Sequence, residues 1–404
     1  MGNILLIDFG ASRIKSAVAS DLNIFFETTG SIIFKDKAFN PFFFYNSLFK
    51  HLNFYRKIHK INFSKIYVCS EMHGFFLTNT KNKKKNTLYY SWRYFSKKKI
   101  KKNYLSYLDK NLYKKTGLKL RDGLPIKNFL SIYNFNKYNL ICGVAESLCV
   151  FGGKYNNNLH STYAQSTGFF DLKNKFFFKK FFRNKVYNKN ELELGFVLFK
   201  GIKIKILGGY GDLQCATLGS NLKKDFLLLN LGTGSQIISK IKSKKNSTNI
   251  EKRIFFENKT LYCFTHIPSG RMLNFFSKKI DSKFKTKNYF WNYMKHFVPK
   301  NQKYRKKVIN FLKINYNSKH FKNFLNKKID MCCENLFYYY IWQYIILIKN
   351  NFNISNYKKI YLSGGIPNKI PFIKNFLSKN LRLPVKTNNS LVDDTIKGLL
   401  MLSR

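Results

Sequence analysis

The stretch Ile4-Leu5-Leu6-Ile7-Asp8-Phe9-Gly10-Ala11-Ser12-Arg13-Ile14-Lys15 decides how the chain is read. Its apolar run reads as a strand, the glycine-bearing segment as a tight turn, and the residues after it as a returning strand. Gly10 lets the backbone bend without a Cβ clash, and its small neighbours leave amide N–H groups able to face an anion. Asp8, at the end of the strand, has the chemistry to hold a hydrated Mg2+, and Lys15 has the charge to meet a phosphate. The same residues also describe an ordinary hairpin turn. The stretch alone does not choose between the two.

A second copy does. Leu227-Leu228-Leu229-Asn230-Leu231-Gly232-Thr233-Gly234-Ser235-Gln236-Ile237-Ile238 repeats the apolar strand, the polar residue, the glycine-bearing turn and the returning strand. Asn230 takes the place of Asp8, and Gly232 that of Gly10. A strand-turn-strand unit repeated in opposite halves of 404 residues predicts two similar α/β domains, each offering one loop to a shared ligand. The polar stretch 222–225 is the best boundary, giving domains 1–222 and 223–404.

Bulk composition narrows the class. Hydrophobic residues at 45% suffice for packed interiors. Seven cysteines, scattered and odd in number with no Cys-x-x-Cys, indicate neither a disulfide framework nor a zinc site and fit a reducing cytoplasm. The start shows no basic segment leading into a long apolar one. The most apolar later run, 338–348, is broken by Gln343 and too short to span a bilayer, so a soluble, cytoplasmic protein without a membrane partner is expected. Lys and Arg number 73 against 20 Asp and Glu, a net charge of +53, which by itself would suggest nucleic acid. The basic residues are spread along the whole chain, however, and Lys, Asn, Phe, Ile and Tyr are enriched together, as A/T-rich codons would produce. Solvated basic faces are expected, and nucleic-acid binding is not the expected main function.

Further candidates follow in order. An apolar strand at 65–70 ends in Glu71-Met72-His73-Gly74, polar residues where open α/β domains place ligand contacts; a plain strand end, with Met72 in the core and His73 on the surface, is the alternative. Trp92 beside Arg93 offers an aromatic wall and a hydrogen-bonding fork for a polyol, or core packing. Residues 98–116 read as a basic helix and 123–135 as a second, with Pro125 near its start. The hydroxyl-rich segment 161–171 reads as a sugar-pocket lining or as a turn. Asp212, after Gly208-Gly209-Tyr210-Gly211, stands at the start of a small-residue helix, either as a cap or as a general base for a hydroxyl proton. Residues 242–252 look like a solvated hairpin tip, Pro268-Ser269-Gly270 opens a helix, and Ser363-Gly364-Gly365 links a strand to a helix. A strand near 384–387 and a helix at 393–402 are expected to finish the second domain.

In this order and spacing, Asp8-x-Gly10, Glu71 to Gly74, Gly211-Asp212, Gly232 to Gly234 and Ser363 to Gly365 resemble the FGGY carbohydrate kinases of the actin-like ATPase superfamily over nearly the whole chain. The resemblance implies two ribonuclease H-like domains flanking a deep catalytic cleft, with transfer of the γ-phosphoryl group of ATP to a sugar or polyol hydroxyl in the presence of Mg2+. On it, Asp8, Gly10, Ser12 and Lys15 match the first phosphate loop, Asp8 organising the metal and Lys15 facing phosphate. Gly232, Thr233 and Gly234 match the second loop, Gly270 a nucleotide-contacting turn, Gly364, Gly365 and Asn368 the adenosine motif, and Asp212 the catalytic base. Met72 and His73 are similar to the Met-His pair of xylulokinase-like branches, whereas 164–171 is similar to gluconokinase-like sequences. Glu71 stands where members often carry Gln, and Trp92-Arg93-Tyr94 replaces a Trp-x-Asp-x-Arg element, so the sugar contacts there depart from the pattern. A sugar-free actin-like ATPase and a decayed kinase serving as a basic binding protein are the competing readings, and the sequence leaves a homodimer open.

Overall fold

The computed structural model describes residues 3–10, 13–20, 23–31, 37–82, 85–100, 102–108, 111–132, 137–173, 181–232, 234–242, 250–298, 327–387 and 392–404. The chain divides into two compact units. The first comprises Met1–Asn221, Lys252–Thr260 and Ser390–Arg404, the second Leu222–Glu251 and Leu261–Asn389. The chain therefore returns twice to the first unit after the point near residue 222 where the sequence suggests a single boundary.

The sheet of the first unit runs, edge to edge, Asn23–Ser31, Arg13–Ser20, Ile4–Phe9, Lys65–Ser70, Ile202–Gly211, Glu193–Phe199 and Gly153–Tyr155. The opening strand pairs antiparallel with Arg13–Ser20 and parallel with Lys65–Ser70, and Ile202–Gly211 continues the parallel set. Leu5, Leu6 and Ile7, like Ile66, Tyr67 and Val68, are wholly buried, which is why these strands read as continuous apolar runs: both faces of the sheet are covered. Helix Phe42–His59 presents Phe44, Leu48 and Leu52 to the sheet core, joined there by Leu148 of helix Val144–Gly152.

A second sheet runs, edge to edge, Glu251–Ile254, Thr260–Ile267, Ser235–Ser239, Phe226–Leu231, Lys359–Ser363 and Val385–Thr387. In each sheet the hairpin has a further antiparallel strand on one side, Asn23–Ser31 or Thr260–Ile267, and two parallel strands on the other, Lys65–Ser70 and Ile202–Gly211 or Lys359–Ser363 and Val385–Thr387. This is the arrangement of the ribonuclease H-like domains that the resemblance implies. The long helix Ile329–Asn351 buries Leu336, Phe337, Tyr340, Ile341 and Tyr344 against the second core.

Several local expectations change. Residues 98–116 form no single helix; a 3-10 turn at Lys102–Leu108 precedes a short helix at Asn111–Thr116, because the lysine run before them has few apolar positions to bury. The second helix of that region is Pro125–Ile132, and 133–136 lie outside the described residues. The segment at 161–171 contains helix Ser161–Ser166, every residue of which is buried; the Thr162 and Ser166 hydroxyls serve internal hydrogen bonds, whereas Ser161 Oγ is buried without a partner. Of the supposed solvated tip, 243–249 lie outside the described residues, while Glu251–Ile254 is a strand with Glu251 and Arg253 buried. The last helix, Asp394–Leu402, belongs to the first unit. It crosses helix Asp212–Gly219 at two glycines: a Cβ on Gly219 would sit 2.0 Å from the Asp394 carbonyl oxygen, and one on Gly398 2.0 Å from that of Cys215. Its apolar stripe of Ile396, Leu399 and Leu402 revealed that it packs, not against which sheet.

Candidate active site

In the first unit the opening hairpin places Asp8 directly opposite Lys15. Asp8 is 2% exposed. Its Oδ2 lies 3.4 Å from the Lys15 ammonium and accepts a 2.9 Å hydrogen bond from the Thr395 hydroxyl, while Oδ1 is buried without a hydrogen-bond partner. Lys15 also reaches Asp393 at 2.8 Å, and Asp393 caps the last helix by accepting from the Thr395 amide at 2.9 Å. Burial pushes the Asp8 carboxyl up, offset in part by Lys15 and Thr395 and reinforced by Asp393. For Lys15, burial favours the neutral form, but the two carboxylates outweigh it and hold the ammonium charged. Burial likewise raises Asp393, and the Lys15 charge and Thr395 hydrogen bonds outweigh it, leaving its carboxyl below the usual range.

Asp212 is the first residue of helix Asp212–Gly219, with Gly211 as the cap, and its Oδ1 accepts from the Leu213 amide at 2.7 Å. It is only partly covered. Burial pushes its carboxyl up to about 7, the Asp8 and Glu71 charges adding to the effect and the Leu213 amide and Lys15 opposing it. A carboxylate poised there takes a proton from a hydroxyl and returns it to water near neutrality. The cap position falls to Gly211, one residue before Asp212.

Glu71 is buried, its Oε1 accepting from the Tyr89 hydroxyl at 2.9 Å. Burial raises its carboxyl, and the Tyr89 hydrogen bond and Arg93 charge partly offset this. Met72 is 8% exposed, and its Sδ lies so close to Gly211 that a Cβ there would approach to 2.3 Å; the pair is therefore set directly before the candidate base. His73 is buried and adopts a left-handed backbone with φ +68°, a conformation that costs about 1 kcal/mol and collects at ligand sites. Its Nδ1 lies 2.6 Å from the Ser166 carbonyl oxygen. A carbonyl only accepts, so Nδ1 carries the hydrogen and Nε2 presents its lone pair. That lone pair receives Arg121 Nη2 at 2.8 Å and Arg253 Nη2 at 3.1 Å. The Arg93 guanidinium stacks 5.6 Å from the Trp92 ring centroid, and Gly123, at φ +82°, fits against the Trp92 carbonyl where a Cβ would not.

The second unit has its own set of glycine-bearing loops. Gly270 donates its amide to the Gly232 carbonyl at 2.9 Å, and a Cβ on Gly270 would lie 2.7 Å from that oxygen. Gly364, at φ +88°, closes to 2.5 Å on the Leu231 carbonyl by the same measure. The three loops therefore meet at the ends of strands Phe226–Leu231 and Lys359–Ser363. Gly234 and Gly365 face open space, and Asn368 is exposed. Helix Gly270–Phe284 begins at Ser269 without a side-chain cap, its first amide being taken by the Gly232 carbonyl. Ser12 and Thr233 lie outside the described residues.

These residues fit the groups implied for them. Among the described residues no cluster of three or more His, Cys, Asp or Glu side chains suits a metal, but Mg2+ typically takes one or two carboxylates and completes its shell with water and substrate phosphates. The orphaned Asp8 Oδ1, with Asp212 nearby in charge, meets that requirement. Glycine loops with open space beside an uncapped helix suit a nucleotide. Four residues of these networks escaped the sequence reading: Asp393, Thr395, Arg121 and Arg253. Only Asp393 carried a signal, an Asp-Asp-Thr start to a helix, and it reads as a cap. All seven cysteines are buried and unbridged, and among the described residues no helix is long and apolar enough to cross a membrane.

No protein-family model and no curated protein matches the chain. Among solved structures it is similar to xylulose kinase from Lactobacillus acidophilus, with a TM-score of 0.77 at 15% identity, covering 100% of this chain and 89% of that one. It is also similar to gluconate kinase from the same organism, with a TM-score of 0.72 at 16% identity over the same shares. Plasmodium falciparum glycerol kinase with ADP follows at 0.74 and 15%, again covering 100% and 89%. With the strand order and helix placements above, the chain has the two-domain, actin-like ATPase fold of the sugar and glycerol kinases.

Proposed function

We propose that the chain is an ATP-dependent carbohydrate kinase of the FGGY type, transferring the γ-phosphoryl group of ATP to a hydroxyl of a sugar or sugar derivative: a ketose such as a pentulose or heptulose, or an aldonate. The observation that carries this reading is Asp212, a helix-start carboxyl pushed up to about 7 by burial and, after it, by the Asp8 charge. The first unit supplies the acceptor contacts and the base. The second supplies the glycine loops for the nucleotide.

Asp212 orients the acceptor hydroxyl and takes its proton as the new O–P bond forms and the bond from the γ-phosphorus to the β,γ-bridging oxygen breaks, leaving ADP. Lys15 offers positive charge to the transferred group, and loop amides near Gly232 and Gly270 do the same for the remaining phosphates. Mg2+, held from Asp8, neutralises charge on the phosphate oxygens when bound. Met72, His73, Glu71, Trp92 and Arg93 hold the acceptor.

The test is coupled ADP release across a panel of acceptors, with Asp212→Asn and Asp212→Ala beside the unaltered protein. Acceptor-stimulated turnover is expected to fall at least about 10³-fold in both variants while ADP binding, followed by calorimetry, persists. Near-normal turnover in either variant removes Asp212 from its role. ATP turnover that ignores every acceptor would favour the sugar-free ATPase reading.

A further inference from the structure

Asp8 and Lys15 are held by two residues that arrive from the other end of the chain. The torsion that turns an aspartate carboxylate is broad and two-fold, so its setting depends on what each oxygen meets. Asp8 Oδ2 meets both the Lys15 ammonium at 3.4 Å and the Thr395 hydroxyl at 2.9 Å. Oδ1 is buried without a hydrogen-bond partner. The carboxylate is therefore turned so that one oxygen serves the protein and the other stays open.

The Thr395 hydroxyl also lies against Asp393 Oδ1, and it has one hydrogen for two carboxylates. Asp393 Oδ1 already receives the Thr395 amide at 2.9 Å, which frees the hydroxyl hydrogen for Asp8. Asp393 Oδ2 takes Lys15 at 2.8 Å. An ammonium has three donors; Asp393 and Asp8 engage two, and the third remains for a phosphate oxygen. A lysine stem loses rotamer freedom when it is fixed, and the ion pair with Asp393 offsets that loss before a nucleotide binds. Both holders stand at the start of helix Asp394–Leu402, Asp393 as its cap and Thr395 as its second residue. The glycine crossing sets that helix against helix Asp212–Gly219, which opens on the candidate base. Asp8, Lys15 and Asp212 are thus held through one pair of packed helices.

We infer that Thr395 and Asp393 are positioning residues for phosphoryl transfer: Thr395 turns Asp8 so that Oδ1 is left for the cation, and Asp393 holds the Lys15 ammonium ready for the transferred phosphate. This rests on the kinase reading and adds to it two residues that act through Asp8 and Lys15.

The experiment compares Thr395→Val, Thr395→Ser and Asp393→Ser with the unaltered full chain, each checked by its melting curve. Valine keeps the shape of threonine without the hydroxyl, and serine restores the hydroxyl. Serine at 393 keeps a capping oxygen without the carboxylate. Two readouts are taken: acceptor phosphorylation against Mg2+ concentration, and ADP binding by calorimetry with and without Mg2+. Losing an outer partner of a metal-holding group lowers metal affinity or activity about 10- to 100-fold. Thr395→Val is expected to raise the Mg2+ concentration for half-maximal rate by about tenfold or more, and to weaken ADP binding with Mg2+ but not without it. Thr395→Ser should recover most of both. Asp393→Ser is expected to lower kcat about tenfold, with the acceptor KM and the Mg2+ requirement little changed. Unaltered Mg2+ dependence in a folded Thr395→Val overturns the role of Thr395, and unaltered kcat in a folded Asp393→Ser overturns that of Asp393. Losses that merely follow the melting temperature, with no recovery in Thr395→Ser, overturn both. Phosphorylation of no acceptor by the unaltered protein overturns the kinase reading and the role of Asp393 with it, while the calorimetry still decides that of Thr395.

Discussion

The hairpins Ile4–Phe9/Arg13–Ser20 and Phe226–Leu231/Ser235–Ser239 have the same backbone and opposite chemistry. Each pairs antiparallel with its return strand and parallel with a later one. In the first, the pair facing across the turn is Asp8 and Lys15; in the second it is Asn230 and Gln236. One hairpin buries a charged pair tied to a helix from the far end of the chain. The other is uncharged at this pair, and Gly270 and Gly364 pack closely against its Gly232 and Leu231 carbonyls. The duplicated fold thus carries a charged pair in one hairpin and neutral amide side chains in the other, and shape alone would not separate them.

Exchanging the two chemistries tests this division most severely. Asp8→Asn gives the first hairpin the neutral character of the second, and phosphoryl transfer is expected to fall at least about 10³-fold, with the Mg2+ concentration for half-maximal rate sharply raised. The reciprocal Asn230→Asp places a carboxylate at the end of the strand that leads into the glycine loop; the KM for ATP is expected to rise about 10- to 100-fold with a smaller effect on kcat. If Asn230→Asp weakened transfer as much as Asp8→Asn, the asymmetry between the hairpins would be lost.

Asp393→Asn sharpens the same contrast at lower cost. It removes the shorter partner of Lys15 and weakens a helix cap, and about 1–2 kcal/mol of stability is expected to go, read from denaturant unfolding at neutral pH. The Asp393 carboxyl is depressed in the folded protein, so its contribution is present above the unfolded pKa and disappears as pH falls through the folded one. The difference between the two proteins should therefore shrink below about pH 4.

Asp212 behaves in the opposite sense. Its folded carboxyl is raised to about 7, so the unfolded chain releases that proton first, and stability declines as pH rises from about 4 to 7. Asp212→Asn is expected to unfold about 1–2 kcal/mol later than the unaltered protein at pH 8 and no later at pH 4, a modest gain at the expense of activity. In the active protein, kcat/KM should rise with pH along an acid limb lost in this variant. A limb that persists in Asp212→Asn assigns the titration to another group.

Much of the fold was legible because the same local pattern occurred twice: Asp8-x-Gly10 and Asn230-x-Gly232 predicted two equivalent hairpins, and both exist. Asp212 was legible because a glycine-rich strand end must present whatever follows it. Local pattern could not reveal Asp393, which meets Lys15 across 378 positions of sequence, or Arg121 and Arg253, which lie 48 and 180 positions from His73. An arginine in a loop and one in a lysine-rich stretch look like solvated charge until the fold brings them together. The final helix was misplaced for a related reason. Its stripe shows that it must be buried, but the two glycines that choose its neighbour have meaning only against each other.

That crossing of Gly219 and Gly398 has a consequence for how the protein is made. The first unit cannot complete its acidic centre when its own sheet has been synthesised, because Asp393 and Thr395 arrive only after the whole second unit has left the ribosome. Through most of translation Lys15 lacks the shorter of its two ion pairs, and helix Asp212–Gly219 has an uncovered glycine face. Contacts so distant in sequence form late and slowly. A nascent chain stopped before residue 393 should hold a formed sheet and an Asp8–Lys15 pair without its Asp393 and Thr395 partners, so the last helix is the step that completes this network.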